Sequence, residues 1–597
     1  MNAEDLLAGA GHMSEETEFY TPMPPGYRRG QTKYVVVFGT VMSGLGKGIF
    51  ASSLAKVLQD RGLSVTPIKL EGYLNRDSGT LNPYRHGEVF VLDDGMETDM
   101  DLGTYERMLN QNLSRLNFAT SGQIFARVLD KERRGQYLGR DVQMIPHVTG
   151  EVKLRLRELA TGSGADVVFV EIGGTVGDVE NAYYIEAVRE LAFEEGENSC
   201  CFVALTYIVE PHALGEQKSK PAQLNMQRLM AGGIQPHIIA CRASKPVSRK
   251  VREKIAMYSN VPLKRVFSMH DLESVYLIPE ALRGAGIDTT VMDYLGLESK
   301  ATPEQQAAAR DAWASYAQRF RTAATPVTIG ITGKYTSLRD SYASIIQALE
   351  HAGTHWGAKV HIEWVDSTDL TEDDVATRLG AVHGVIVPGG FGVRGVEGKI
   401  VCVRYVRESR IPYLGLCYGF QIAVIEFART VAGLEHAGST EVDHDTPHPV
   451  VDILPEQKKI EGLGGNMRLG GQDVLVTPGT MLARLHGGAA RIRLRFRHRY
   501  EVDPSYVDQL ERAGMVFSGR ADGHPIMQVL ELPTELHPFF MGTQAHAELT
   551  SRPLHPDPMF LEFVRQAIIR SGAPDPAKDK KNPIASQPDH CGSTPAG

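Results

Sequence analysis

A chain of 597 residues that is 42% hydrophobic and 23% charged has a globular composition and is longer than one core ordinarily organises, so two or more domains are expected. Its formal charge of -9 argues against nucleic-acid binding, which needs a basic surface, while leaving room for small anionic ligands at local sites. The 6 cysteines lack metal-ligand spacing and no apolar run reaches the roughly 18 residues of a membrane helix, so a reducing, cytoplasmic setting without a membrane partner is the expectation.

In chain order, residues 1–32 read as a disordered extension. "VVVFGTVMSGLGKGIFASSLAKVL" then reads as strand, glycine-rich turn and amphipathic helix, a pattern that closes backbone N–H groups on phosphate oxygens. Lys47 would neutralise phosphate charge, but Gly48 stands where a Walker A motif has the Ser or Thr that binds magnesium, so the metal would fall to carboxylates elsewhere. A purely structural turn is the alternative. Carboxylates occur in "DDGMETDMDLGTYERM" and at Glu171, where the apolar run "DVVFVEIGG" gives out, the usual place for ligands in an open parallel sheet. Either could equally be a helix cap or a surface group. The basic run "KERRGQYLGR" is the best candidate for a basic patch, with a solvated face as the alternative reading. Together with "SVTPIKL", "CFVALTYIV" and "PHIIACRA", these runs alternate with helical patterns and predict a parallel sheet with crossover helices over 33–297.

Beyond Leu297, Thr302 and Pro303 open an Ala/Gln/Arg-rich helix, read as an interdomain segment within 298–326. A second β/α series covers 327–570, and 571–597 reads as a disordered tail. In that series "IPYLGLCYGFQIAVIEF" sets Cys417 on a strand-to-helix elbow between Gly415 and Gly419, where the helix dipole favours an anion. "VPGGFGVRG" upstream could supply N–H groups for an oxyanion, and His546 with Glu548 could supply a base and its orienting acceptor. A buried, inert cysteine is the alternative for Cys417; Cys402, His361 and His498 read as structural.

"SGLGKGI", "HGEVFV", "TDMDLGTYER", "KERRGQYLG", "QMIPHVT", "EIGGTVGDVE", "GEQKSKPAQ" and "GIQPHIIACR" occur in the order expected of the amidoligase domain of the CTP synthase family. "PGGFG", "GLCYG" and "AHAE" resemble the class I glutamine amidotransferase domain that the family carries, so the resemblance spans roughly 33–570. It implies an α/β protein of two domains: an N-terminal P-loop-like, Rossmann-type amidoligase with a parallel sheet, and a C-terminal amidotransferase. ATP would phosphorylate the uracil 4-oxygen of UTP, and ammonia from glutamine would displace the phosphate. Carried over by motif, Gly44, Leu45, Gly46, Lys47, Gly48 and Ile49 would form the ATP phosphate loop with Lys69 and Asp101 beside it, and His270, Asp271 and Leu272 would sit near the adenine. Asp101 and Glu171 would hold Mg2+. UTP or product CTP would be gripped by Ser43, Asp178, Val179, Glu180, Lys218, Ser219, Lys220, Pro221, Ala222, Gln223 and Lys254. Cys417, His546 and Glu548 would be catalytic, with glutamine held by Gly390, Tyr418, Gly419, Phe420, Gln421, Glu441 and Arg499. The resemblance further implies GTP as an allosteric activator and a homotetramer that can form filaments.

Several positions depart from the family pattern. Thr40 replaces a glycine, "KLEGYLN" stands for "KLDPYIN", "KSKPAQ" for "KTKPTQ", "DVENAYYIEA" lacks a Pro-Phe, and Ala547 replaces the proline of His-Pro-Glu. Ala222 removes a hydroxyl that could bond a phosphate, worth about 1 kcal/mol in that case. Three readings follow: a divergent family enzyme, a paralogue acting on a modified or different pyrimidine nucleotide, or a homologue that has lost catalysis. The joint presence of Lys47, Asp101, Glu171, Cys417, His546 and Glu548 weighs against the last.

Overall fold

The computed structural model describes residues 20–211, 215–333, 339–390, 392–453 and 467–578. The chain folds into two units: one takes the chain up to Thr80 with Thr104–Ala314, the other takes Leu81–Gly103 with the chain from Ser315 onward.

The first unit is built on strands β1 (Lys33–Gly39), β2 (Val65–Glu71), β3 (Phe118–Thr120), β4 (Val167–Ile172), β5 (Cys200–Tyr207), β6 (Ile238–Ala243) and β7 (Val266–His270). They form a sheet in the order β3-β2-β4-β1-β5-β6-β7, and every neighbouring pair is parallel. Apolar runs such as Tyr34–Phe38 are buried because helices cover both faces. The sheet order reverses beside β1, which opens a crevice at the carboxyl ends of the strands.

Residues 20–32, expected to be disordered, are packed instead. Tyr27 and Tyr34 share a hydroxyl hydrogen bond of 2.8 Å, the buried Arg157 guanidinium lies 5.5 Å over the Tyr27 ring, and its Nη1 donates to Pro22 O at 3.3 Å. The two tyrosines Tyr20 and Tyr27 supply the apolar area that holds this stretch down, Tyr20 lying edge-on to Tyr137. Residues 1–19, and 579–597 of the expected tail, lie outside the described residues, while Asp575 is clasped by Arg565 at 2.7 Å.

The helix opened by Thr302 runs Pro303–Thr322. Its capping box is complete: Gln305 N donates to Thr302 Oγ1 at 3.3 Å, and Thr302 N to Gln305 Oε1 at 2.9 Å. The segment is no free spacer, because buried Trp313 donates through Nε1 to Tyr276 O at 2.9 Å beneath Lys56.

The second unit has strands β8 (Thr325–Gly333), β9 (Ala358–Asp366), β10 (Gly384–Val387), β11 (Tyr413–Leu416), β12 (Arg468–Val476), β13 (Arg491–His498), β14 (Val516–Ala521), β15 (Met527–Glu531) and β16 (Phe540–Thr543). The order is β9-β8-β10-β11-β16-β15-β14-β12-β13, parallel from β9 to β16 and antiparallel beyond. Sequence reasoning left Leu81–Gly103 inside the first domain, yet its hairpin, Phe90–Val91 with Glu97–Thr98, docks on β13. The cause is legible in "RIRLRFRH": alternate arginines share one strand face. Arg493 Nη2 lies 2.9 Å from Asp93 Oδ2, Arg495 Nη1 donates to Val91 O at 3.2 Å, and Arg497 Nε meets Glu97 at 2.7 Å. Among the described residues, no helix is long and apolar enough to cross a membrane.

Candidate active site

In the first unit the chain leaves β1 through a turn with Gly44 at φ 71° and Gly46 at φ 76°, conformations that a side chain disfavours. Helix Lys47–Asp60 begins directly after it. A Cβ on Gly46 would meet Arg242 Nη1 at 2.5 Å, which explains glycine there. Lys47 is nearly buried, and its Nζ donates to Gly174 O at 2.8 Å. Leu45, Gly46 and Ile49 line one side of a cavity whose other wall carries His270, Asp271 and Leu272, so two motifs more than two hundred residues apart line one cavity. Arg242 also lines it, donating to Leu45 O at 2.8 Å and pairing with Asp271 at 3.2 Å. Sequence reasoning missed Arg242; its place near the carboxyl end of β6 was the available signal.

Glu171 is 1% exposed, and the register of β2 on β4 sets Lys69 directly beside it. Lys69 Nζ lies 3.2 Å from Glu171 Oε1 and 3.2 Å from Glu71 Oε1, while the Tyr105 hydroxyl donates to Glu171 Oε2 at 3.0 Å. Asp101 stands in the first turn of helix Met100–Leu109, one turn before Tyr105. Among the described residues, no group of three or more His, Cys, Asp or Glu could hold a metal by itself.

Of the residues predicted to grip UTP, Ser219, Ala222 and Gln223 are buried and most of the others are exposed. Asp178, Val179 and Glu180 are exposed on a turn, Val179 at 85%. Ser43 and Lys254 are exposed, and Lys218 pairs with Glu216 at 2.7 Å. Helix Lys220–Ala231 starts with Lys220 and Pro221, and Gln223 Nε2 turns back to Ser219 Oγ at 3.0 Å. Ala222 corrects one expectation: it is fully buried in the hydrophobic core, so a hydroxyl there would meet packed side chains and no phosphate bond is forgone.

In the second unit Cys417 has φ 51° and ψ -96°, the strained elbow conformation, between β11 and helix Tyr418–Thr430. Its glycine flanks are steric necessities, since a Cβ on Gly419 would meet Val387 O at 2.1 Å and one on Gly415 would meet Gly419 at 2.8 Å. Leu416 pairs in register with Thr543, and Cys417 N donates to Thr543 O at 2.7 Å, which brings the chain near His546 alongside the elbow. Cys417 Sγ lies 3.6 Å from Arg497 O and 3.6 Å from Gln544 Nε2. A Cβ on Gly389 would fall 3.0 Å from His546 Cε1 and 3.7 Å from Cys417 Cβ, so cysteine and histidine crowd one glycine.

His546 Nδ1 pairs with Glu548 Oε1 at 2.7 Å. Burial by itself would lower the imidazole pKa, but the Glu548 carboxylate and then the Cys417 sulfur outweigh it and hold the ring well above its ordinary range. Ala547 is buried and opens a single turn closed by Leu549 N on His546 O at 3.2 Å. Proline restricts both itself and the residue before it, so Ala547 leaves this link freer than the family pattern does. Ala547→Pro is expected to raise kcat for glutamine hydrolysis by about twofold through pre-organisation of His546; an unchanged kcat would make the position neutral.

Of the predicted glutamine residues, Tyr418, Gly419, Phe420 and Gln421 follow Cys417 directly on its helix. A Cβ on Gly390 would lie 4.0 Å from the Tyr418 ring, and Gly392 N donates to Glu441 Oε1 at 2.9 Å. Burial and then the Glu441 charge raise the Tyr500 pKa, with Arg499 opposing, so both charges bear on one hydroxyl. Gln421 Nε2 donates to Tyr500 O at 2.9 Å and to Gln544 Oε1 at 3.1 Å, joining the Gln544 contact to Cys417. Phe420 is core, so only its main chain can serve a ligand. Phe391 of "VPGGFGVRG" lies outside the described residues. Gln544 and the buried Lys399, 4.8 Å over the Tyr418 ring, were missed; Gln544 could have been suspected from its place just after β16. Cys402 is fully buried, which pushes its thiol up to about 12, and His498 Nε2 lies 2.9 Å from Glu501 Oε1.

Known families match both parts of the chain: the CTP synthase N-terminus over residues 33–297 and the class I glutamine amidotransferase over residues 337–566. Fold and matches define a class, the amidoligases that carry a class I glutamine amidotransferase domain on the same chain. The chain is 47% identical to a CTP synthase of Methanopyrus kandleri, over 90% of this chain and 99% of that one. It is 47% identical to a CTP synthase of Thermus thermophilus, over 90% and 97%, and 46% identical to one of Rubrobacter xylanophilus, over 94% and 99%. The glutaminase domain of the Trypanosoma brucei enzyme with bound acivicin aligns at 33% identity, covering 42% of this chain and 95% of that one, with a TM-score of 0.39. The chain belongs to the CTP synthase family.

Proposed function

We propose that the chain aminates UTP to CTP with ATP and glutamine, using Cys417, His546 and Glu548 to release ammonia and the first unit to consume it. The observation that carries the reading is the elbow cysteine on the unit that also holds the His546–Glu548 pair, whose Nδ1 and Oε1 lie 2.7 Å apart. Cys417 attacks the amide carbon of glutamine. His546 takes the thiol proton and gives it to the departing ammonia, while Glu548 fixes the ring and balances its charge. Glu441 and Arg499 suit the α-amino and α-carboxylate groups, and glutamine contacts extend to Gly390, Tyr418, Gln421 and the main chain of Gly419 and Phe420.

In the first unit the turn Gly44–Ile49 holds the ATP phosphates with Lys47, and the cavity beside His270, Asp271 and Leu272 takes the adenine. ATP phosphorylates the uracil 4-oxygen, and ammonia then adds at that carbon and expels phosphate. Glu171 offers the hard oxygen donors that Mg2+ takes, with phosphates and water completing its shell, and Lys69 Nζ lies 3.2 Å from Glu171 Oε1. When bound, the ion would neutralise charge on the transferred phosphoryl group. The exposed UTP residues Asp178–Glu180, Lys220, Ser43 and Lys254 fit a site completed by another subunit of a homotetramer. GTP activation of the glutaminase belongs to the same proposal.

The test is to supply ATP, magnesium and UTP with either glutamine or ammonia and follow product by chromatography. CTP from both donors supports the reading, and ATP turnover with another pyrimidine nucleotide but none with UTP overturns it. Arg242→Ala is expected to raise the KM for ATP about tenfold with the KM for glutamine unchanged, because it loosens both the Leu45 carbonyl and Asp271. An ATP KM matching that of the unsubstituted protein would remove Arg242 from the site.

A further inference from the structure

After β4 ends at Ile172 the chain passes through two glycines. Gly173 N donates to Leu70 O at 2.7 Å and Val176 N to Gly39 O at 2.9 Å, so the turn is pinned to two neighbouring strands. A Cβ on Gly173 would meet Leu70 O at 2.7 Å, and Gly174 has φ 70°. Two sets of groups close on this turn. Lys47, from the phosphate loop, donates to Gly174 O at 2.8 Å. Asn181 Nδ2 donates to Gly173 O at 2.8 Å and to Thr175 O at 3.2 Å, while Thr175 N donates to Asp178 Oδ2 at 2.7 Å.

Asn181 is 2% exposed, although the three residues before it are exposed. The turn therefore buries one amide and presents Asp178–Glu180 outward. A Cβ on Gly72 would come within 3.1 Å of Glu180 Cβ, so Gly72, a departure from the family pattern, gives this turn its space. The Asn181 amide carries two hydrogen bonds to carbonyls that flank the very residue holding Lys47.

We propose that Asn181 is a positioning residue for phosphoryl transfer: it holds the Gly173–Thr175 turn that anchors Lys47 and the Asp178–Glu180 turn as one rigid piece, so that ATP and UTP are aligned through a shared support. This rests on the reading that Lys47 serves ATP and Asp178–Glu180 serve UTP. Asn181→Leu keeps the volume and removes both donors; Asn181→Ser keeps one shorter donor. In ammonia-dependent CTP synthesis, Asn181→Leu lowers kcat and raises the KM for ATP and UTP together, each by about tenfold, with Asn181→Ser intermediate. Glutamine hydrolysis by the same variants, measured without nucleotides, stays unchanged. Constants within about twofold of the unsubstituted protein, or a rise confined to one nucleotide, would overturn the shared support. Should Asn181→Leu also lose glutamine hydrolysis through misfolding, Asn181→Ser decides by the same criteria. An unsubstituted protein that makes no CTP from ammonia defeats the functional reading, whereas a competent protein whose variants match it defeats only the role of Asn181.

Discussion

Cys417→Ala is expected to cut glutamine-dependent CTP synthesis by at least about a thousandfold and to leave ammonia-dependent synthesis at the level of the unsubstituted protein. The magnitude follows from chemistry: without the sulfur no thioester forms, and His546 has no thiol proton to take. The selectivity follows from structure. Cys417 sits at the start of a buried helix inside the second unit, and its neighbours Thr543, Gln544 and Arg497 all belong to that unit. Alanine relieves little of the elbow strain, because positive φ is costly for any residue with a Cβ, so the fold is kept while the nucleophile is lost. Steady-state assays with each nitrogen donor check this, with thermal unfolding to confirm the fold. Equal loss with both donors in a folded variant would sink the division of labour between Cys417 and the first unit.

The parts of this protein legible in sequence are those set by local pattern. Strands of the parallel sheets announced themselves as apolar runs because both faces are buried, and the Cys417 elbow announced itself through glycines that steric contact requires. Thr302 and Pro303 gave away a helix start as N-cap and first-turn residues. What escaped depends on long-range register. Arg242 meets the phosphate loop only because β6 lies two strands from β1, and Gln544 reaches Cys417 only because β16 pairs with β11. The hairpin within Leu81–Gly103 is the clearest case: contiguous with the first domain in sequence, it is claimed by the arginines of β13, some four hundred residues later. Residues 20–32 misled for the opposite reason, since two tyrosines suffice to bind a short polar stretch to a surface. Ala222 misled because a motif position was taken to face a ligand when the helix turns it into the core.

Lys47→Met should abolish CTP synthesis from either nitrogen donor, by on the order of a thousandfold in kcat, while glutamine hydrolysis persists. Methionine retains most of the aliphatic stem that fills the space left by Gly39, where a Cβ would come within 3.0 Å of Lys47 Cδ, so packing is preserved and only the ammonium is lost. That charge has a defined place, anchored on Gly174 O at 2.8 Å beside a turn with no hydroxyl at Gly48. Phosphoryl transfer relies on positioning and charge neutralisation, so the site has little to substitute for it: Lys69 is already engaged by Glu171 and Glu71. Lys47→Arg would not rescue, because the larger planar guanidinium must fit where Gly39 and Gly174 already crowd the Nζ. Measuring ATP turnover, CTP formation and glutamine hydrolysis on the same preparation checks the prediction. Synthesis within about tenfold of the unsubstituted protein would show that the lysine is a structural tether and that another cation carries the phosphate charge.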